Sequence, residues 1–109
     1  MRKVANAVSH ELREIEELRA DHALAVEYLK VAMESLADPN ERAGGLLALR
    51  TIAEAYGGLA QVAAQAGISR EALYRALSPK GNPTLKTLLA VLQTVGMRLS
   101  VEPAPAVTS

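Results

Sequence analysis

Hydrophobic and polar positions recur with a helical period through most of the chain. In residues 2–19, Val4, Val8, Leu12, Ile15 and Leu18 fall at spacings of three and four, while Glu11, Arg13, Glu14, Glu16 and Glu17 occupy the other faces. Apolar residues so spaced share one face of an α-helix, which predicts an amphipathic helix here. A second pattern, Leu24, Val26, Leu29, Met33 and Leu36, follows Asp21 as a candidate N-cap and predicts a helix to residue 37. Asp38-Pro39-Asn40-Glu41 then combines three start signals: a capping Asp, a Pro where its missing N–H costs nothing, and Glu three positions on. The helix predicted from it runs through Leu46, Leu47, Leu49, Ile52 and Ala53 to Tyr56, where Gly57-Gly58 stops it. Gly44-Gly45 near its start each cost about 1 kcal/mol against Ala. Either another backbone approaches there or the first turn is weak.

Two short apolar-periodic pieces follow, residues 59–66 and 69–77, separated by Gly67-Ile68. After a polar loop at 78–82, Asn82 as cap and Pro83 at the first position open a helix through Leu85, Leu88, Leu89, Val91, Leu92 and Val95 to Gly96. The last pattern changes period. Met97, Leu99 and Val101 alternate with Arg98, Ser100 and Glu102, which predicts one short strand closed by Pro103 and Pro105. A lone strand requires the same strand of a second protomer or the sheet edge of another protein, unless it only packs on helices as an extended tail. The expected fold is mainly α: a five- to six-helix bundle with one short carboxyl-terminal strand. The expected divisions are a helical extension at 1–37, a core domain at 38–102 and a tail at 103–109.

Composition narrows the possibilities. A chain of 109 residues, half of them apolar, supports one small core. With no Phe, Trp or Cys, that core is built from Ala, Leu, Val, Ile and Met, and neither disulfides nor thiolate metal sites are available. No apolar run is long enough to span a membrane, so a cytoplasmic protein is expected. His10 and His22 are the only histidines, and neither has a carboxylate at a spacing that suggests a metal or nucleophile-base site. No glycine-rich phosphate loop follows a strand. Neither an enzyme nor a cofactor is expected.

The formal charge is zero, but it is unevenly spread. Residues 1–42 hold six Lys or Arg against nine Asp or Glu, whereas residues 43–109 hold six against three. The two halves are therefore expected to face different partners. In the basic half, residues 59–78 have the spacing of a helix-turn-helix. Gly67 falls where the chain must turn with positive φ, Ala63 is small where two helices cross, and Val62, Ala66, Ile68, Leu73 and Ala76 face a core. The second helix begins at Ser69 and turns Arg70, Glu71, Tyr74 and Arg75 outward.

Those four are the expected base-contacting residues. Arg donates a bidentate pair to guanine, Tyr74 meets a thymine methyl or a phosphate, and Glu71 either accepts from cytosine or holds Arg75 four residues on. Gln61, Ser69, Lys80, Asn82, Thr84 and Lys86 are the expected phosphate contacts, supplied by hydroxyl, amide, ammonium and helix-start N–H groups. A dimer would set two such helices about 34 Å apart, one turn of DNA.

The run from Gly67 to Pro103 also resembles a known family. "SREALYRALS", "GNPTLKTLLAVL" and the closing "GMRLSV" look like the probable addiction module antidote proteins, relatives of the HigA antitoxins and of phage-repressor-like regulators. The likeness continues more weakly back to Tyr28-Leu29. It implies a helix-turn-helix of the lambda-repressor-like type in an antitoxin that represses its own operon on double-stranded operator DNA. It also implies neutralisation of a small basic toxin of the RelE and ParE superfamily, for which the acidic amino-terminal half would be a counterpart. Two other readings share these residues: a free-standing repressor whose acidic helices only dimerise, and a helical protein-binding adaptor without a nucleic-acid role.

Overall fold

The computed structural model describes residues 2–105, with side chains from residue 10 onward. Six helices follow one another: α1 (Arg2–Ala20), α2 (His22–Ser35), α3 (Arg42–Ala55), α4 (Leu59–Ala66), α5 (Arg70–Ala76) and α6 (Leu85–Thr94). The fold is mainly helical, with no strand among the described residues. One apolar cluster joins the helices, centred on Leu18, Leu29, Leu46, Leu49, Ile52, Val62, Leu73, Leu77 and Val91.

Among the described side chains of α1, Ile15 and Leu18 in its later turns are buried in that core. The end of α1 is tied to the end of α3 by polar bonds running both ways. Arg19 donates from Nε to the Ala55 carbonyl (3.2 Å), placing a cation at the carbonyl end of α3. Tyr56 donates its hydroxyl to the Leu18 carbonyl (2.6 Å). Leu12 stays 56% exposed, outside the buried face that its spacing predicts. Val4 and Val8 lie outside the residues whose side chains are described.

Asp21 caps α2 as its position predicts, accepting from the Leu24 N–H (3.1 Å). The buried face of α2 is built from Ala25, Leu29 and Ala32, while Leu24 and Val31 face outward. Across the seam stands Gly45 of α3. A Cβ added to Gly45 would come within 2.8 Å of the Ala32 carbonyl oxygen and 3.0 Å of Ser35 Cβ. At this point the two backbones approach too closely for a side chain, which answers for Gly45 the choice that the Gly44-Gly45 pair poses.

Three expectations need correction. The Asp38-Pro39-Asn40-Glu41 segment is a turn: Asp38 Oδ1 accepts from Asn40 N–H (2.9 Å), and Glu41 N–H donates to the Asp38 carbonyl (2.9 Å). Engaged in its own turn, Asp38 caps no helix, and α3 starts at Arg42. At α6 the cap is Thr84, not Asn82; its hydroxyl accepts from Thr87 N–H (3.2 Å) and donates to the buried Thr87 hydroxyl (3.1 Å). The carboxyl-terminal strand is absent. Met97 N–H closes the end of α6 on the Leu92 carbonyl (2.9 Å), and the alternating residues beyond it run on without regular structure. Alternation selects a strand only where a neighbour completes the hydrogen-bond ladder, and the other described elements are helices.

Candidate nucleic-acid interface

Helices α4 and α5 form a short pair joined by Gly67, Ile68 and Ser69. Gly57 and Gly58, at φ 90° and 86°, end α3 and set the direction of α4. At the other end Gly67 takes φ 71°, its N–H closing on the Ala64 carbonyl and that of Ile68 on the Ala63 carbonyl. This is the left-handed helix stop for which glycine has no steric penalty. Ser69 then caps α5, accepting from Ala72 N–H (3.0 Å). Ala63, at 2% exposure, is small where the helices meet, and Val62, Ala66, Leu73 and Leu77 are buried. Ile68 and Ala76 are half-buried.

With those faces committed to the core, Arg70, Glu71, Tyr74 and Arg75 are exposed. All four line one shallow depression of about 360 Å³ with Leu59 at its base. The helix that carries them is fixed by its Ser69 cap and by buried Leu73 and Leu77. A further basic side chain joins the group from α3: the Arg50 guanidinium lies 4.5 Å from the centre of the Tyr74 ring. That stacking restrains both groups and adds a third arginine beside the two on α5. Sequence patterning overlooks Arg50, because it belongs to another helix and no local spacing links it to Tyr74.

The expected phosphate contacts are more dispersed. Ser69 is exposed at the turn, its oxygen used in the cap and its O–H left to donate. Lys86 reaches back to the same turn, where a Cβ on Gly67 would lie 3.0 Å from its Nζ. Lys80 and Asn82 are exposed in the loop between α5 and α6. Thr84 is exposed but engaged by Thr87. Gln61 leans over Gly57 at the start of α4, at the opposite end of that helix from the turn. The histidines stand apart from this surface: His10 is exposed on α1, and His22 Nε2 lies 2.8 Å from the Val95 carbonyl. No group of three or more His, Asp or Glu among the described residues is placed to hold a metal ion.

Comparison with known proteins decides the family. Residues 9–103 match the family described as probable addiction module antidote protein. The chain belongs to this family. An uncharacterised protein of Haemophilus influenzae is 35% identical over 83 residues, covering 76% of this chain and 84% of that protein. No solved structure matches. The family match takes in the acidic helices as well as α4, α5 and α6. Membership of an antidote family implies a toxin as partner and a regulatory rather than a catalytic role. No helix among the described residues is long and apolar enough to cross a membrane.

Proposed function

We propose that the chain is an antitoxin with two surfaces: a DNA-reading pair, α4 and α5, and an acidic amino-terminal part that meets the toxin. In this reading α4, the turn at Gly67 and α5 act as a helix-turn-helix of the lambda-repressor-like type. Helix α5 enters the major groove of the protein's own operator, and binding there represses the operon. The toxin is of the RelE and ParE superfamily, as the likeness to HigA antitoxins implies. The observation that carries the DNA reading is the joint exposure of Arg70, Tyr74 and Arg75 on a helix anchored to the core by buried Leu73 and Leu77, with Arg50 stacked on Tyr74.

Chemistry assigns the roles within that group. Arg70 and Arg75 present planar forks to guanine edges, each such pair giving about 1 to 3 kcal/mol of discrimination. Tyr74, steadied by Arg50, supplies an apolar ring edge and a hydroxyl. Lys80, Lys86 and the hydroxyl of Ser69 meet backbone phosphates and fix register. A homodimer supplies two reading helices to half-sites about 34 Å apart. The organisation proposed is an extension at 1–37, a DNA-binding part at 38–102 and a tail at 103–109.

The test is a footprint on the gene's own upstream DNA. The parent protein is expected to protect a two-fold symmetric site, with affinity falling steeply as salt rises because bound phosphates release counterions. Arg70→Ala and Arg75→Ala are expected to relax sequence preference at separate positions of each half-site. No footprint from the parent, or an unchanged one from the double variant, overturns the reading.

A further inference from the structure

The acidic part of the molecule carries a surface that its own fold does not use. Leu24, Tyr28, Val31 and Ser35 recur along α2 at helical spacing and form one wall of an open trough of about 650 Å³; Gly44 and Ala48 of α3 form its floor. Leu24 and Val31 are 42% and 60% exposed. Gly44 is the telling residue. A Cβ there would have no neighbour within 4 Å, and its backbone is helical, so nothing within this chain requires glycine at a site where Ala would favour the helix. Gly45, one residue on, is fully accounted for by the Ala32 carbonyl.

The rim is negative. Glu27 and Glu41 border the trough, and no basic residue lines it among the described residues. A second depression shares Leu24 and Tyr28 with it and adds Glu14 and Glu17, against Arg13 as its one basic side chain apart from His10. Arg42, beside Glu41 in sequence, turns its guanidinium to the Leu36 carbonyl (2.9 Å).

We infer that the trough between α2 and α3 is the docking surface for a helix of the toxin, one that carries small apolar side chains flanked by Lys or Arg. This rests on the antitoxin reading and gives it a location. A helix fits because both walls are helices whose interior backbone groups bond internally, leaving no edge for an extended segment to pair with. A floor of Gly44 and Ala48, one turn apart, lets the incoming helix approach as closely as α2 approaches α3 at Gly45. A second copy of this chain fits less well. A two-fold contact would set Glu27 and Glu41 against their own duplicates, whereas Lys and Arg on a toxin helix complement them.

The experiment uses the full chain and the product of the adjoining reading frame as probe. Gly44→Arg starts from a Cβ that meets nothing within 4 Å, puts a long side chain into the open trough and replaces glycine with a better helix former, so the variant is expected to melt no lower than the parent. Its affinity for the probe is expected to fall by about 100-fold or more, the loss typical of a blocked interface centre. Glu27→Gln is expected to slow association by about three- to tenfold at low salt and by little at high salt. Arg70→Ala with Arg75→Ala is expected to leave probe binding unchanged.

Unchanged binding by a folded Gly44→Arg, with the parent binding tightly, overturns this site and leaves the antitoxin reading standing. A parent that binds no adjoining-frame product overturns both. A parent dimer that Gly44→Arg splits in the absence of the probe assigns the trough to a second copy and overturns the inference.

Discussion

Two helix pairs in this molecule bury their contacts in opposite ways. Between α4 and α5 the larger apolar side chains, Val62, Leu73 and Leu77, go inward and leave a charged outer face. Between α2 and α3 the backbones meet at Ala32 and Gly45, and although Leu29, Leu46 and Leu49 are buried, two other large apolar side chains of α2, Leu24 and Val31, remain outside. The first pair turns hydrogen-bonding and charged groups to solvent, which suits a polar ligand. The second retains apolar area beside carboxylates, which suits a protein. At Gly45 the approach of the α2 backbone leaves no room for a side chain, and Leu24 and Val31 lie outside that contact.

The sharpest break in that comparison is at the glycine pair. Gly45→Val puts branched carbon against the Ala32 carbonyl and Ser35, so α3 must move off α2. The expected cost is about 3 kcal/mol, at the upper end for overpacking, and a melting temperature lower by about 10 to 20 °C. Gly44→Ala, one position away with open space around it, is expected to be neutral or to stabilise by up to about 1 kcal/mol. Equal effects from the two substitutions, read by thermal melting, would remove the close approach as the reason for the small-residue seam.

The charged face of α5 is broken by its arginines. Arg70→Ala and Arg75→Ala are each expected to weaken binding to the preferred operator by about 1 to 3 kcal/mol, that is by about five- to 150-fold, with little change in melting. Arg50→Ala frees the Tyr74 ring and is expected to cost about 0.5 to 1 kcal/mol of the same binding, as stacked cations at exposed sites do. Titration of labelled operator fragments reads all three. A smaller loss at Arg70 or Arg75 than at Arg50 would shift the interface from α5 towards α3.

The two pairs also differ in how far the amino-acid pattern discloses them. Around α4 and α5 each local signal agrees with the tertiary structure. Gly67 has the positive φ that the turn needs, Ser69 caps the helix, and the apolar positions are the buried ones. The chain also puts Arg70, Glu71, Tyr74 and Arg75 together, because a helix fixed on one face determines the other. On α2 and α3 most predicted positions hold, with Leu29, Leu46, Leu49, Ile52 and Ala53 buried and Val26, Met33 and Leu36 packed on the core. Leu24 stays outside, however, and the pattern passes over Ala25, Ala32 and Gly45, because periodicity weights Leu and Val over Ala and Gly. The close approach of Gly45 to Ala32 is a long-range property that neither residue carries individually. Asp38 fails as a cap for a related reason, having a competing turn within reach. The alternation at 97–102 depended on a strand partner that the described fold lacks.

The cap of α5 gives a smaller test. Ser69→Ala leaves Ala72 N–H without its acceptor and is expected to cost about 1 kcal/mol of stability. Because Ser69 also stands at the turn near Lys86, operator binding should weaken further than a capping loss alone accounts for. Ser69→Asp separates the two effects. Its carboxylate restores the cap but repels phosphate, so a variant with parental melting and reduced operator affinity is expected, read by melting and titration together. Parental affinity with restored melting would confine Ser69 to a structural role.

A test of similar size falls on Tyr28, in the acidic part. Its hydroxyl donates to the Glu14 carboxylate, and burial together with that bond and the nearby negative charge raises its pKa from 10.0 to about 12. The phenol is neutral when protonated, so the folded state holds its proton more tightly than the unfolded state. The resulting stability is fully present below pH 10 and is lost as pH rises from 10 towards 12. Since the ring is only half-buried, solvent screening reduces the contribution to about 1 kcal/mol or less. Tyr28→Phe removes the bond and the titration together. It is expected to cost about 1 kcal/mol at neutral pH and to flatten this part of the alkaline stability curve, measured by urea unfolding at pH 8 to 12. An alkaline limb as steep as the parent's would place the titrating group elsewhere, and with it the link by which Glu14 of α1 is held beside the α2 wall.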